Sequence, residues 1–314
     1  MKEISKNQIC CIIIAYNPDQ VIYELINIIK NQVNKIILVD NRSDMIIRNK
    51  LISISYQLDI YLIKNNENFG IAKALNQGLE AAKSMGFEWA LIFDQDSKPL
   101  NNIVATISEV YRIYPNKDKI GAIGVNYFNN DVKSYFTGFS DKKYKEKDYL
   151  ITSGCLLSID AFNQIGGFRE DFFIDNVDLE YSLRLRKNGK VLLITKEHGM
   201  IHKAGNPIRK KILWVFNIVS TNHNYNRRYY MAKNHVILCM QYFSKFPYFI
   251  LKTNYFFILS IIQLLLLEKK KKIKIIYTYK GLRDGVKNYF ASGRISIKPS
   301  RDSSPNLPPL RQRK

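Results

Sequence analysis

The chain has 314 residues, 46% hydrophobic and 12% aromatic, enough for one large domain or two modest ones with a buried core, which excludes a disordered or fibrous chain. Its formal charge of +21 is unevenly placed: residues 1–200 carry 25 basic and 24 acidic side chains, whereas residues 201–314 carry 23 and 3. A neutral body and a strongly basic C-terminal third are expected.

Short β-branched runs recur along the first part of the chain, at Ile9 to Ala15, Lys35 to Val39, Ile60 to Ile63, Trp89 to Phe93 and Ile120 to Val125. They predict buried strands. Between them the spacing turns helical, most clearly over Gly70 to Met85, where Ile71, Leu75, Gly78, Leu79 and Ala82 share a face and Gly86 is the stop. Alternating units of this kind predict an α/β fold with a mostly parallel sheet flanked by helices. In such sheets ligands lie beyond the carboxyl ends of the strands. Polar residues wait there: Tyr16-Asn17, Asp40-Asn41 and Asp94-Gln95-Asp96.

From Val132 to Tyr149 a polar, Lys- and Tyr-rich segment predicts an irregular loop. A strand-like run from Ile151 to Ile159, the turn Gly166-Gly167-Phe168, and an acidic helix start at Asp175 leading into Leu183-Arg184 and closed by Asn188-Gly189 follow. Beyond His202 come Arg209-Lys210-Lys211, Arg227-Arg228-Tyr229-Tyr230 and an apolar stretch from Tyr255 to Leu267 that ends in Glu268 and four lysines. Those 13 residues make a helix of roughly 20 Å, too short to span a bilayer, with Lys252 and Asn254 limiting it upstream. An apolar face among basic segments suits a helix lying in an anionic membrane interface. Residues 292–314, with four prolines, predict a disordered tail.

Cys10, Cys11, Cys155 and Cys239 form no CxxC pair and no disulfide framework, which fits a reducing compartment. The N-terminal apolar run ends in Tyr16-Asn17-Pro18-Asp19 rather than a cleavage site, so the body is expected in the cytoplasm.

Three constellations can carry chemistry. Asp94 and Asp96, delivered by an apolar strand, suit a divalent cation that is bound in turn by a diphosphate, although acidic residues also serve as turn formers after strands. Asp175, Asp178 and Glu180 cluster at a helix start, where acidic residues are also favoured by the helix dipole. Mutual repulsion should raise the proton affinity of at least one, which can then act as a general base. His202 lies 24 residues beyond Asp178 and, joined to Asp96, would give a mixed N/O site for Mn²⁺ or Mg²⁺.

The order of the motifs is more specific than any one of them. Ile12-Ile13-Ile14-Ala15-Tyr16-Asn17, Val39-Asp40-Asn41-Arg42-Ser43, Asn68-Phe69-Gly70 to Asn76-Gln77-Gly78, and Asp94-Gln95-Asp96-Ser97 together resemble the nucleotide-sugar half of family 2 glycosyltransferases. Ser153-Gly154-Cys155-Leu156, Ile165-Gly166-Gly167-Phe168 and Phe173-Ile174-Asp175-Asn176-Val177-Asp178-Leu179-Glu180 resemble its acceptor half. With Arg228-Tyr229-Tyr230 to Lys233-Asn234, the chain is similar to bacterial rhamnosyltransferases of O-antigen and related polysaccharide assembly.

That resemblance implies a GT-A catalytic domain over 1–205, with its nucleotide-sugar half at 8–125 and its acceptor half at 126–205, followed by a basic, apolar helical region over 206–291. It implies an inverting transfer of L-rhamnose from a dTDP-sugar donor to a lipid-linked oligosaccharide acceptor, at the cytoplasmic face of the inner membrane. Asp40 would bind the base imide, and Tyr16 and Asn17 would line the nucleotide pocket. Asn68, Gly70 and Asn76 would lie beside the donor, Asp94 would contact ribose, and Asp96, with His202, would hold Mg²⁺ or Mn²⁺. Asp178 would be the base, with Asp175 a lesser candidate and Glu180 beside them. Val177 stands where the family usually has an adjacent first acid. Rival readings are a family member using UDP-galactose or UDP-GlcNAc, a basic nucleic-acid-binding protein, and an inactive membrane scaffold. The second is disfavoured because the positive charge accompanies an apolar helix rather than a polar face.

Overall fold

The computed structural model describes residues 4–129, 134–135, 137–138, 141–202, 208–212 and 216–292. The strands in chain order are β1 (Ile9–Ala15), β2 (Lys35–Asp40), β3 (Tyr61–Lys64), β4 (Trp89–Asp94), β5 (Lys98–Pro99), β6 (Ile120–Asn129), β7 (Ser134–Tyr135), β8 (Tyr144–Glu146), β9 (Cys155–Ser158), β10 (Val191–His202), β11 (Ile208–Ile212) and β12 (Phe216–Ser220). The helices are α1 (Val21–Ile29), α2 (Met45–Gln57), α3 (Ile71–Ser84), α4 (Ile103–Ile113), α5 (Ile159–Ile165), α6 (Val177–Lys187), α7 (Tyr225–Tyr242), α8 (Pro247–Leu267) and α9 (Lys271–Ser292).

The main sheet runs β3-β2-β1-β4-β9-β6-β10-β5. Its first four strands are parallel, as helical crossovers require, and each ends its polar residues on the same edge. β9 is antiparallel to both β4 and β6, so the sheet as a whole is mixed. Within the segment read as an irregular loop, β7 pairs with β6 and β8 with β10. The tail from 293 onward lies outside the described residues.

β1 shows why both faces carry helices. Ile9, Cys11, Ile13 and Ala15 join one buried cluster with Ile22, Leu25 and Ile26 of α1 and Ile107 of α4. Cys10, Ile12 and Ile14 join the other, with Leu75 and Leu79 of α3 and Tyr181 of α6. Alternation along a strand places successive side chains on opposite faces, and each fully buried isoleucine contributes about 1.5–3 kcal/mol.

The C-terminal third packs onto this body. α7 and α9 approach closely because Gly281 and Gly285 lack side chains: a Cβ on Gly285 would meet the Lys233 carbonyl at 2.6 Å. The buried Glu268 carboxylate, just past α8, joins Arg228 of α7 (2.6 Å) to Lys274 of α9 (2.7 Å).

α8 corrects the expected helix. It has 21 residues, about 31 Å, and is long and apolar enough by length and composition to cross a membrane. Proline at its start presets the first turn. Asn254, read as a limit, is instead held inside the helix by His235 of α7 at 2.8 Å. The Ser260 hydroxyl receives Arg228, and Phe257 stacks on His235. Its opposite face, Leu251, Tyr255, Ile258, Ile262 and Leu265, is an exposed stripe at helical spacing. Tyr279, Val286 and Phe290 of α9 are also exposed, as are Lys269 and Lys270 between the two helices and Lys271 and Lys272 at the start of α9.

Candidate active site

The donor side is assembled from the carboxyl ends of β1, β2 and β4. Asn17 takes a left-handed conformation (φ 47°), its N–H donating to Ser43 Oγ and its Oδ1 accepting from the Asp44 N–H. Tyr16 donates its N–H to Gln95 Oε1 and leaves its side chain 47% exposed, a surface on which a base can stack. Asp40 has no exposed surface at all. Its oxygens accept from the Ser43 N–H (2.8 Å) and Arg48 Nε (2.6 Å), so the carboxylate braces the 41–44 turn from beneath rather than opening to a base.

The residues expected beside the donor prove to be braces as well. Asn68 Oδ1 accepts from Asn41 Nδ2 and from the Gly70 N–H. Asn76 bonds both the N–H and the carbonyl of Phe168, tying α3 to the 166–170 turn. Gly70, at φ 83° and ψ 170°, occupies backbone space reserved for glycine, and a Cβ there would meet the Phe173 carbonyl at 2.5 Å. That carbonyl accepts the Ile71 N–H, so the loop before α6 rests on the start of α3.

Asp94 ends β4 half-buried. Burial, then the negative charges of Asp96 and Asp178, push its carboxyl up to about 7, with Arg227 opposing. This mutual influence means that Asp94, Asp96, Asp178 and Arg227 share one locality, although 131 residues separate Asp96 from Arg227. Asp178 lies in the first turn of α6, its Oδ1 accepting the Leu179 N–H at 2.8 Å. Burial pushes it up to about 6, the Leu179 N–H pulls it back, and Asp175 pushes it further. A carboxylate so poised accepts a proton near neutral pH.

Asp175 and Asn176 both have positive φ (65° and 59°), turning the chain into α6. The Asp175 carboxylate is clasped by Arg227 Nε and Nη2 at 2.8–3.2 Å. This forked contact ties the loop before α6 to α7. Glu180 differs further from expectation. It is fully enclosed, bonded by Arg184 (3.1 and 2.9 Å) and by the Tyr242 hydroxyl (2.8 Å). Two helical residues turn the direction by about 200°, so Glu180 faces the core while Asp178 faces the cleft.

α7 supplies contacts to the 171–175 loop that motif order did not reveal. Beside Arg227, Asn234 donates to the carbonyls of Ile174 and Asp175, Lys233 donates to the Asp171 carbonyl, and Tyr230 stacks on Phe173. The whole 171–175 loop is gripped from the C-terminal third. The nearest sequence signal was the block from Arg227 to Asn234, whose partners sit 52–62 residues upstream.

His202 pairs its backbone with Asn129 at the end of β10, and its side chain lies outside the described residues. Among the described residues no three His, Cys, Asp or Glu side chains converge on one point. Asp94 and Asp96 nevertheless fit a divalent cation: two hard oxygen donors, crowded by like charge, are what Mg²⁺ uses when it keeps waters and shares substrate phosphates.

Beyond Asp178 opens a cleft of about 720 Å³. Asp175, Asn176 and Asp178 form one wall, Lys145, Lys147 and Tyr149 a second, and Phe249, Lys252 and Phe256 of α8 a third.

Comparison with known proteins accords with this layout. The chain is 28% identical over 308 residues to the dTDP-rhamnosyl transferase RfbF of Shigella flexneri, covering 92% of this chain and 99% of that one. Its structure resembles S. aureus TarS 1-349 in complex with UDP-GlcNAc (12% identity, TM-score 0.52, 92% of this chain and 76% of that one). It also resembles the mannosyltransferase PcManGT of Pyrobaculum calidifontis in complex with GDP-Man and Mn2+ (15%, TM-score 0.52, 93% and 76%). The fold is of the GT-A type. The sequence model described as Glycosyl transferase family 2 matches residues 10–168, half the chain, and the protein belongs to that family of glycosyltransferases.

Proposed function

We propose that the protein transfers L-rhamnose, with inversion, from dTDP-L-rhamnose to a hydroxyl of a lipid-linked oligosaccharide. The observation that carries this reading is Asp178, poised near pH 6 between the carboxylates at the end of β4 and the open cleft. The acceptor hydroxyl lies in the cleft, Asp178 Oδ takes its proton, and the oxygen attacks the anomeric carbon as the dTDP leaves. Asp96, with Asp94, would hold the Mg²⁺ or Mn²⁺ ion, which supplies charge neutralisation to the departing diphosphate. Tyr16 and Asn17 border the nucleotide, and the enclosed Asp40 keeps their supporting turn in place. Identity to a dTDP-rhamnosyl transferase across nearly the whole chain supports the choice of donor.

The attachment is peripheral, at the cytoplasmic leaflet of the inner membrane. α8 is fixed to α7 along one face, so its apolar stripe lies in the interface instead of crossing, and Lys269 to Lys272 meet anionic lipid. Incubating the protein with Mg²⁺ and, separately, dTDP-rhamnose, UDP-galactose, UDP-GlcNAc and GDP-mannose tests the donor. Release of dTDP from dTDP-rhamnose, well above release from the others, is expected. Preferential turnover of a UDP- or GDP-sugar would overturn the assignment.

A further inference from the structure

The joint between α7 and α8 gathers three side chains that sugar transfer does not use. His235 and Cys239 lie four residues apart on α7, which puts them one above the other on a single helical face. Asn254 of α8 stands opposite them. Their polar atoms close a triangle: His235 Nε2 to Asn254 Oδ1 is 2.8 Å, Cys239 Sγ to Asn254 Oδ1 is 3.3 Å, and Cys239 Sγ to His235 Nε2 is 3.5 Å. Asn254 Oδ1 only accepts, so the Nε2–H and the Sγ–H both point at it, and two donors share one acceptor. Phe257 stacks on the imidazole at 4.4 Å and 14°, which fixes the plane of the ring. Burial pulls the imidazole below its ordinary value, with Asn254 opposing, so the ring is neutral at pH 7. The thiol is pushed up to about 11 by burial, again with Asn254 opposing, and so carries its proton.

We propose that His235 Nε2, Cys239 Sγ and Asn254 Oδ1 form a site for one thiophilic divalent cation of the Zn²⁺ class, completed by a water, that joins α8 to α7. Bonds of about 2.0–2.3 Å to a tetrahedral ion place its ligand atoms about 3.3–3.8 Å apart. Two sides of the triangle already have that length, and the third reaches it once the Nε2–H hydrogen bond gives way. Binding moves the imidazole proton from Nε2 to Nδ1, forms the Nε2–metal and Sγ–metal bonds, and releases the thiol proton to water. Thiolate and imidazole select a borderline-soft ion over Mg²⁺, which takes hard oxygen ligands of the kind that Asp94 and Asp96 offer. The two places therefore sort different metals. His235 borders the cleft, which gives the ion a way in, and Cys239 is only partly enclosed. A bound ion holds α8, whose outer face carries the exposed apolar stripe, to the helix that grips the 171–175 loop.

Titrating Co²⁺ into the metal-free, full-length protein under excess Mg²⁺ tests this, because Co²⁺ substitutes for Zn²⁺ and its bond to a thiolate gives a charge-transfer absorption in the near ultraviolet. One equivalent of Co²⁺ is expected to raise that absorption, and one of Zn²⁺ to abolish it. Zn²⁺ at about 100 times its Kd is expected to raise Tm by about 5 °C. C239S, which nearly keeps the size of the side chain and removes the thiolate, is expected to lose the absorption and at least about tenfold in Zn²⁺ affinity, with the Tm of its metal-free form unchanged. D96N is expected to keep both, since the carboxylates after β4 take no part. No absorption in the wild type, full absorption in C239S, or its loss in D96N would overturn the proposal. A second measurement needs no variant: alkylation of Cys239 by iodoacetamide, followed by mass spectrometry, is expected to slow at least about tenfold when Zn²⁺ is bound. Labelling at an unchanged rate would equally overturn it.

Discussion

Arg227 on α7 clasps the carboxylate of Asp175 through Nε and Nη2 at 2.8–3.2 Å, three residues before Asp178 and 52 residues away in sequence. The basic C-terminal third thus has a second task besides any membrane contact. It holds the loop that aims the candidate base.

Replacing Arg227 by Ala should free Asp175 and let the 171–175 loop drift. Misplacing a base by about 1 Å costs on the order of 10²-fold in turnover. The pair is partly exposed, so stability should fall by only about 1 kcal/mol or less. Because a lysine cannot make the forked contact, R227K should recover little. Steady-state kinetics beside thermal unfolding checks this. Turnover close to wild type in R227A would contradict the positioning role.

The pH profile follows from Asp178. Its carboxyl is raised to about 6, and a base must be deprotonated to act, so kcat/KM for sugar transfer should fall as pH drops through about 6 and level off above it. The stability sign is opposite. A carboxyl that holds its proton more tightly folded than unfolded lends stability as pH falls from 7 towards 4, and takes it away as pH rises through the folded value. Asp94, raised to about 7, acts in the same direction. Titrating activity and Tm between pH 5 and 8 in a chelating buffer for the Tm arm should therefore show activity rising while these two groups' contribution to Tm falls.

Glu180 separates structure from chemistry. E180Q leaves the Arg184 guanidinium buried without its counter-charge, which typically costs about 3–5 kcal/mol. Chemical denaturation should show that loss. An E180Q protein of wild-type stability but no turnover would restore Glu180 to the reaction.

What was legible in the sequence was what local patterns determine. The four parallel strands and α3 stand within a residue or two of their expected bounds, because β-branched runs between polar strand ends and a clear apolar helical face admit few alternatives. Asp94, Asp96 and Asp178 fall in one locality, as motif order suggested. Direction was harder to read. Asp178 and Glu180 are two residues apart in an acidic turn, and only packing against Tyr242 reveals which one points inward. Asp40 looked available because it ends a strand, but Arg48 closes over it from α2. The extent of α8 was hidden because Lys252 and Asn254 read as interruptions when taken singly, while the partner of Asn254 on α7 is invisible along the chain. The clasp made by Arg227 was obscured for the same reason: within a segment of high positive charge, nothing local distinguishes a clasp from a solvated cation.

Membrane attachment can be separated from folding, since the stripe on α8 is exposed. Replacing Tyr255, Ile258 and Ile262 by Ser should abolish flotation with liposomes while leaving Tm unchanged. Replacing Lys269 to Lys272 by Gln should weaken binding to anionic vesicles specifically, by about 1 kcal/mol per charge. Flotation of either variant at wild-type levels would remove α8 and its lysines from the interface.

The most direct measurement replaces Asp178 by Asn, a change of one atom type at the proposed base. Transfer from dTDP-rhamnose should fall by about 10²–10⁴-fold while calorimetric affinity for dTDP with Mg²⁺ stays at the wild-type value. Undiminished transfer by D178N would contradict the assignment of Asp178 as the residue that takes the acceptor's proton.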